Sequence, residues 1–514
     1  MCEGRAGGAC EQEVADAMEA TAAPATVADP TRWGLAEGTV AELAERLHAL
    51  WGRYRACFRT QTRDTSEQAW LYLRGLLTVD QERTFVNIAR RVHGPQADGQ
   101  RVQHFMSQSP WSARTVLEQV RAEVAATPAL REDSVLILDE SADVKAGTQT
   151  AGAGRQYNGR LGKVDLSQVG TFLALANEAR RFWSWIDGEL FVPEGWFAPE
   201  QAKPRQRLGI PPERQFATKI ELGWQMIQRV RAAGVPFAAV LCDELYGRSR
   251  WLRAHLDAAG LLYLAEVPAD TVVYLTPPAF GVPPKAPEAA GHPFTQPRIL
   301  DATLPIPASQ VATLPDTSFV VVPVRETERG QLADEFAVRR VWTVRQGQLT
   351  QEWLVIRRHV GTRLPAKGKI SYALSNAPAD TPLARLAELK CLRYGIECAT
   401  REAKSDLGWD DFRAQKYRAW EHHLALTILA AWFVAQTKLE WAQRSPPDSA
   451  LARDLDLIRL PALSVANVRE LLKASLPLPQ FTPQQAQHLV VKHLVARSRA
   501  TASRKRRQRP KHTP

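Results

Sequence analysis

Three carboxylates stand where they could hold a divalent metal. Asp139 and Asp243 each end an apolar run, and Glu397 lies far downstream. An apolar run of this length indicates a buried strand, so we expect both aspartates at the C-terminal ends of strands. Glu140 follows Asp139 directly and is expected to point to the other face. Three oxygen ligands without a neighbouring His or Cys suit Mg²⁺ or Mn²⁺ better than zinc.

Cations surround the third carboxylate. Residues 390–404 contain no Pro and read as one helix. Arg393, Glu397, Arg401 and Lys404 follow one another at spacings of four, four and three residues, which puts them on one helical face. Such a setting keeps the carboxylate ionised, and its cations could hold phosphate oxygens. The competing interpretation is a solvated face of ordinary salt-bridge pairs.

Composition favours a large globular protein with an anionic partner. The chain has 514 residues, 45% of them hydrophobic and 24% charged, which predicts two or three domains. Its net charge of +11 favours nucleic acid or a membrane surface as partner. No apolar run is long enough to span a bilayer, and we expect no secretory signal. The six cysteines form no C-x-x-C pair, so we expect a reduced, cytoplasmic protein.

The N-terminal part predicts a small helical domain. Residues 1–31 are rich in Ala, Gly, Glu and Thr and are expected to be disordered. Residues 32–128 show helical spacing throughout, with Arg90, Arg91 and Arg101 near the predicted turns. Such a module could dock on duplex DNA. A helical domain without that role explains the pattern equally well.

The central part predicts an α/β sheet. In residues 129–269 we expect three strands in an antiparallel meander, then a helix over residues 212–233, a strand ending at Asp243, a second helix and a further strand. A basic, Gly-rich loop over residues 152–163 follows the first strand, and its spacing differs from known phosphate-binding fingerprints. Residues 270–367 predict a β-rich insertion, and residues 368–442 return to the core.

The C-terminal part predicts helices and a basic tail. His422 and His423 are adjacent and cannot easily face one metal, so packing or phosphate contact is the favoured interpretation. Residues 443–496 are expected to be helical. The last eighteen residues, 497–514, hold eight Lys or Arg and predict a disordered tail that binds nucleic acid nonspecifically.

These motifs together resemble the bacterial insertion-sequence transposases of the DDE type. The resemblance spans about residues 70–441, and its most specific part is the Y-x2-R-x3-E-x6-K signature of the cut-and-paste branch. Arg393, Glu397 and Lys404 match this signature, and Lys390 stands at its Tyr position. The segments around Asp139 and Asp243 resemble the first and second aspartate motifs of the family. Glu402 is an alternative third carboxylate, although it lies off the face that carries Arg393.

The resemblance implies a fold and a site. The expected fold is an RNase H-like α/β core interrupted by a β-rich insertion, with the N-terminal helical domain in front. The expected catalytic carboxylates are Asp139, Asp243 and Glu397, which would hold two Mg²⁺ or Mn²⁺ ions that activate water and later a DNA 3′-hydroxyl. The residues expected to contact DNA are Lys390, Arg393, Arg401, Lys404, Lys145, Arg155, Tyr157, Lys163 and Trp353.

The implied activity is that of a DNA transposase which binds the ends of its element, cleaves them and joins them to target DNA. In this branch cleavage passes through a DNA hairpin with a base flipped onto an aromatic ring. Trp353 or Trp342 could supply that ring, although a core role explains either residue as well. The implied partners are double-stranded DNA and a second copy of the chain, in the cytoplasm and at the nucleoid. Two alternatives are an inactive, domesticated DNA-binding transposase and an RNase H-like nuclease.

Overall fold

The structure is a computed structural model that describes most of the chain. The described residues are 37–159, 161–285, 292–327, 330–360, 369–444, 463–476 and the single positions 484, 487, 491 and 495. The predicted disordered segments 1–31 and 497–514 lie outside this part of the chain. So does most of the predicted C-terminal helical region.

Five helices form the N-terminal part. They are α1 (Glu37–Tyr54), α2 (Ser66–Thr78), α3 (Phe85–His93), α4 (Gln100–Gln108) and α5 (Ala113–Ala126). Two of them begin where a hydroxyl side chain caps the helix: Thr84 accepts from the amide of Asn87, and Ser112 from the amide of Thr115. The helices α2, α4 and α5 pack against a 28-residue helix near the end of the chain. The N-terminal helices therefore share a core with the rest of the molecule.

One large mixed sheet organises the remainder. Its strands are β1 (Val135–Val144), β2 (Gly154–Asn158), β3 (Lys163–Asn177), β4 (Phe182–Phe191), β5 (Ala239–Cys242), β6 (Tyr263–Val267), β11 (Val320–Thr327), β12 (Gly330–Arg345), β13 (Gln348–Arg358) and β14 (Ile370–Ser375). They follow the order β11-β12-β13-β14-β6-β5-β1-β3-β2, and β4 also pairs with β3. Two short pairs stand apart from it, β7 (Val272–Val273) with β10 (Ile306–Pro307) and β8 (Phe280–Gly281) with β9 (Arg298–Ile299).

The middle of the sheet confirms the predicted order of elements. Strands β1, β3 and β4 pair antiparallel, and β5 and β6 then pair parallel to β1 and to each other. The linking helices are α6 (Ala202–Leu208), α7 (Lys219–Ala232), α8 (Glu244–Gly247) and α9 (Arg250–Ala258). Helix α7 begins later than predicted because a capping box between Thr218 and Glu221 sets its start.

One predicted segment was wrong in part. The Gly-rich segment is not a loop throughout, because residues 154–158 form β2 and pair antiparallel with β3. The strands of the predicted β-rich insertion join the sheet of the core. Its long strands β11, β12 and β13 continue the same sheet through β14 and β6.

Helices cover both faces of β1. The remaining helices are α10 (Ala308–Val311), α11 (Leu383–Leu392), α12 (Tyr394–Arg401), α13 (Tyr417–Arg444) and α14 (Val465–Ser475). Gly395 of α12 approaches Ile137, whereas Gly223 of α7 approaches Leu138, and successive side chains of a strand point to opposite faces. A Cβ atom at position 395 would lie 2.8 Å from the Cβ of Ala176. A glycine stands inside α12 because the sheet is this close.

Candidate active site

Parallel pairing brings the two predicted aspartates together. Leu138 of β1 is in register with Cys242 of β5, so the next residues, Asp139 and Asp243, stand at the same level of adjacent strands. Strand β5 ends at Cys242, whereas β1 continues to Val144. The prediction that Asp139 ends its strand was therefore wrong. What ends there is its pairing with β5, and this opens the sheet beside Asp139.

A helix start fixes the second aspartate. Asp243 is the N-cap of α8, and its Oδ1 accepts hydrogen bonds from the amides of Leu245 at 3.0 Å and Tyr246 at 3.3 Å. The cap orients the carboxylate by means of one oxygen only. Gly247, at the end of α8, is required by packing, because a Cβ there would lie 1.8 Å from the carbonyl oxygen of Glu266.

Glu140 joins the two aspartates, contrary to the prediction that it points to the other face. Among the described residues, carboxylate oxygens of Asp139, Glu140 and Asp243 lie within 4.8 Å of one another. The Oε1 of Glu140 pairs with the ammonium of Lys219 at 3.3 Å, and its Oε2 is buried without a hydrogen-bond partner in the described part of the chain. Its side chain can reach this side because β5 does not extend past Cys242.

The electrostatics of this cluster favour a bound cation. Burial, together with the charge of Asp243, raises the pKa of Asp139 to about 7. Burial and the charge of Glu140 raise the pKa of Asp243 to about 6. Arg393 opposes both shifts without cancelling them. A divalent cation would remove the repulsion, and an all-oxygen donor set with one buried, unpaired oxygen suits Mg²⁺ or Mn²⁺.

Arg393 connects the cluster to the predicted third carboxylate. Its guanidinium reaches Asp139 at 3.6 Å, Glu397 at 3.0 Å and Glu266 at 3.7 Å. Glu397 is 61% exposed and does not belong to the group of three carboxylates. The structure thus brings Asp139 and Asp243 together, whereas the guanidinium of Arg393 lies between Asp139 and Glu397. Its role as a metal ligand stays a prediction.

The cationic run is not one continuous helix. It breaks at Arg393, between α11 and α12, and residues 402–406 form a π-helical turn. The predicted face is kept from Arg393 to Arg401, both of which are accessible. Lys404 lies within the π-turn, points inward and pairs with Asp143 and Asp410, each at 3.1 Å. A π-turn adds a residue to the helical turn, so side chains in it leave the face that α-helical spacing predicts.

Lys390 faces the interior. It is 1% exposed, and its ammonium lies 3.5 Å from the carboxylate of Glu266. Burial lowers the pKa of Lys390. Burial also acts to raise the pKa of Glu266, but Lys390 and Arg393 together bring it below its ordinary value. The residue at the signature's Tyr position therefore pairs with Glu266. Glu266 in turn contacts Arg393, so this ion pair helps to position the guanidinium of Arg393.

The other predicted DNA contacts lie on two surfaces. Arg155, Tyr157 and Lys163 are exposed on the β2–β3 hairpin, where Tyr157 is 60% exposed. Lys145 is half-buried next to them. On β13, the indole of Trp353 donates to the carbonyl of Pro378 at 2.9 Å and lies under the guanidinium of Arg340. Trp342 is likewise half-buried on β12.

Two further groups lie away from the carboxylate cluster. Glu402, the alternative third carboxylate, accepts from the indole of Trp183 at 2.8 Å and faces Lys438. His422 and His423 are each 1% exposed and hydrogen-bonded to backbone carbonyls, and burial lowers the pKa of each to about 3. Both histidines are neutral packing groups, which agrees with the favoured interpretation.

Sequence reasoning missed Glu266 and Lys219. Ala265 of β6 is in register with Cys242, so Glu266 stands beside Asp243 on the third parallel strand. The available signal was a carboxylate near the end of a predicted strand, as for both aspartates. Lys219 begins α7 and reaches Glu140, a contact between residues 79 positions apart that sequence spacing does not reveal.

Comparisons with known proteins identify the family of this chain. Residues 53–331 match the family described as DDE superfamily endonuclease, and this segment contains Asp139, Glu140 and Asp243. The chain is 25% identical over 354 residues to the probable transposase for insertion sequence element IS701 of Microchaete diplosiphon, which covers 68% of this chain and 78% of that protein.

A solved structure is also similar. It is the cryo-EM structure of the piggyBac transposase synaptic complex with hairpin DNA, at 10% identity and a TM-score of 0.36, and it covers 87% of this chain and 82% of that one. Among the described residues, no helix is long and apolar enough to cross a membrane.

Proposed function

Since the chain belongs to the DDE superfamily of endonucleases, we propose that it is the DNA transposase of a bacterial insertion sequence, which cleaves its element's ends and joins them to target DNA. The observation that carries this proposal is the meeting of Asp139 and Asp243 on adjacent parallel strands inside the family match. The related IS701 transposase supports the same activity.

The proposed catalytic core is RNase H-like. Its support is an antiparallel meander of β1, β3 and β4 followed by two parallel strands, β5 and β6, with helices α7 and α9 between them. In parallel α/β sheets, ligands bind beyond the carboxyl ends of the strands, where both aspartates lie. Strands β11 to β13 are then an extension of this core, and α1 to α5 are the proposed DNA-binding domain.

Two Mg²⁺ or Mn²⁺ ions are the proposed cofactors. Asp139 and Asp243 would hold them, with Glu397 as the third ligand. When bound, the metals would lower the pKa of the attacking hydroxyl and neutralise charge on the phosphate. Glu140 is the competing third ligand, because its Oε2 is buried and unpaired among the described residues.

The chain's own residues would orient the DNA. In the first step the oxygen of a water attacks phosphorus and loses its proton, while the bond to the 3′-oxygen breaks. In the joining step that 3′-hydroxyl loses its proton and attacks a target phosphodiester, while the target's own bond between phosphorus and the 3′-oxygen breaks. Arg393 borders Asp139 and Glu397 and would hold the phosphate between them. Exposed side chains available for flanking phosphates are those of Arg401, Arg155, Tyr157 and Lys163. Lys145 directly follows β1, and Lys404 pairs with Asp143 on that strand, so both would meet DNA near the last residues of β1.

The setting of Trp353 supports the hairpin route. Trp353 holds its ring under Arg340, with the indole nitrogen fixed to Pro378. A ring fixed in this way could receive a flipped base by stacking.

We propose duplex DNA and a second copy of the chain as partners, in the cytoplasm and at the nucleoid. The alternatives of an inactive DNA-binding protein and a simple nuclease are not favoured by the family match and the related transposase.

The third carboxylate provides the test. Glu397→Gln should abolish cleavage of duplexes that carry the element's ends, in Mg²⁺ and in Mn²⁺, whereas Glu140→Gln should keep most of it. Both variants retain side-chain size, so the comparison isolates the negative charge. The reverse outcome would assign the third position to Glu140. A wild-type protein that does not cleave its own ends in either metal would refute the proposed function.

A further inference from the structure

The third and fourth helices of the N-terminal domain carry an unusual charge distribution. Residues 84–108, which contain α3 and α4, include three Arg and two His, and their one carboxylate is Asp98. The Oδ1 of Asp98 accepts from the amide of Gln100 at 3.0 Å, so it serves the start of α4. The surfaces of both helices therefore carry cations and amides without acidic side chains.

Helix α4 separates a buried face from a polar one. Val102, Phe105 and Met106 are buried against the core. The accessible face carries Gln100, Arg101, Gln103, His104 and Gln108. Every exposed side chain in this set can hydrogen-bond to a base edge, with Arg suited to guanine and Gln to adenine.

Other accessible helices of the domain differ. Helix α1 exposes Glu42 and Glu45, and helix α5 exposes Glu118. A carboxylate on a surface that meets DNA would repel the phosphates. Among the described helices of this domain, α3 and α4 contain no acidic residue. These two helices therefore would not repel DNA phosphates, and α4 also carries side chains that can read bases.

The helix is mounted rigidly. Nitrogens of the His422 ring, on α13, lie 3.0 Å from the carbonyl oxygens of Met106 and Trp111, and the Trp111 ring stacks on the imidazole at 3.7 Å. At the other end, Gly99 has φ of +79°, and a Cβ there would lie 2.7 Å from the backbone nitrogen of Val86. Glycine thus permits the close turn between α3 and α4. A helix held at both ends can keep the register that base reading requires.

An open cleft runs along the accessible face. It has a volume of about 530 Å³, and the polar side chains of Arg63, Gln68, Arg101 and His104 line it. Asp64 also lies there, but it pairs with Arg59 at 2.8 Å. Cations on both sides of a cleft suit a ligand whose charge is spread along its length, as it is in a nucleic-acid backbone.

We propose that α4 is the helix that reads bases in the major groove at the ends of the element, with Gln100, Arg101 and His104 as the specificity-determining side chains and Arg63 as a phosphate contact. This inference rests on the proposed function, because the ends are the DNA that such a transposase must distinguish. The arrangement of a supporting helix, α3, before a reading helix, α4, is that of a helix-turn-helix, although the turn of residues 94–99 is longer.

The test compares two triple variants of the full-length chain. Gln100→Ala, Arg101→Ala and His104→Ala together remove the proposed readers. As the control, Gln225→Ala, Gln228→Ala and Arg231→Ala remove three polar side chains, one of them a guanidinium, from the exposed face of α7. Affinity is measured for a duplex that carries the inverted repeat flanking the gene and for a shuffled duplex of equal length. The α4 variant should lose at least about tenfold of the preference for the repeat, and the α7 variant should keep it.

Single variants separate base recognition from phosphate contact. Across a set of repeats with one base pair changed at a time, Arg101→Ala should lose discrimination at one or two adjacent positions. Arg63→Ala should weaken binding to every duplex alike and flatten the salt dependence. Because all these side chains are accessible, the variants should keep melting temperatures close to that of the wild type, and such values would exclude misfolding.

The possible failures are distinguishable. If the wild type prefers its repeats and cleaves them but the α4 triple variant keeps that preference, the assignment of α4 is wrong and the proposed function stands. If the wild type neither prefers nor cleaves the repeats, the proposed function itself is wrong. If the variant loses affinity for the repeat and the shuffled duplex equally, α4 only holds phosphates and the reading role is refuted.

Discussion

Two groups of carboxylates on the sheet, one on β4 and one at β1 and β5, differ in their counter-charges. Asp187 and Glu189 on β4 are almost fully buried. Guanidinium groups surround them, including Arg229 at 2.8 Å and Arg121 at 3.3 Å from Asp187, with Arg114 and Arg214 on Glu189. The cluster of Asp139, Glu140 and Asp243 is more accessible, yet only Arg393 and Lys219 pair with it among the described residues.

The difference separates a structural group from the proposed catalytic one. In the β4 group, arginines from α5 and α7 tie the N-terminal helices to the sheet, and each buried charge has a partner. In the cluster the negative charges outnumber the cations, so the pKa values of Asp139 and Asp243 rise to about 7 and about 6. A protein tolerates such a deficit where a metal supplies the missing charge.

The largest effect should come from removing a carboxylate of the cluster. Asp243→Asn should lower cleavage of the element's ends at least a thousandfold, which corresponds to about 4 kcal/mol of transition-state stabilisation. The amide oxygen of Asn can still accept from Leu245 and Tyr246, so the cap of α8 and the melting temperature should persist. The measurement is single-turnover cleavage in Mg²⁺. Cleavage near the wild-type rate would end the metal assignment.

Removing a carboxylate of the β4 group should act on stability. Asp187→Ala leaves the guanidinium groups of Arg121 and Arg229 without their shared partner and should lower the free energy of unfolding by about 3–5 kcal/mol. Urea unfolding followed by circular dichroism measures this loss. As a control, Asp270→Ala removes an exposed carboxylate and should change the free energy of unfolding by less than about 0.5 kcal/mol. Equal effects of the two variants would contradict the structural role.

Removing the charge of Asp139 should change the free energy of unfolding in the opposite direction. Because its folded pKa of about 7 exceeds that of an unfolded chain, folding binds a proton, and stability falls as the pH rises from about 4 to about 7. Without metal at pH 8, Asp139→Asn should therefore raise the free energy of unfolding by about 1–2 kcal/mol. At pH 5 the gain should shrink, since the folded aspartate is then protonated. A destabilised variant at pH 8 would show that the charge is compensated after all.

The smallest effect concerns metal and protons together. A metal must displace the protons that Asp139 and Asp243 hold below about pH 7 and pH 6. The rise in melting temperature caused by Mg²⁺ should therefore decline from pH 8 to pH 5. Asp243→Asn should show little Mg²⁺-dependent rise at any pH. A rise that is independent of pH would place the metal elsewhere.

Local patterns were sufficient for the elements that carry the aspartates. Apolar runs predicted β1 and β5, and helical spacing predicted the N-terminal helices, because burial of a periodic face is a local property. The spacing of Arg393 and Glu397 predicted their contact correctly, since side chains four residues apart are neighbours on a helix. The inward position of Lys404 was not predictable, because the π-turn that contains it depends on the surrounding packing.

The sequence by itself determined which residues could take part in the site: two aspartates after apolar runs, and a glutamate among cations. Only the tertiary structure decided which of them meet. Register between β1 and β5 joined Asp139 to Asp243, and the early end of β5 admitted Glu140. The third parallel strand added Glu266, and burial directed Lys390 toward it. Strand pairing and burial depend on contacts between residues far apart in the chain, so no local pattern contains them.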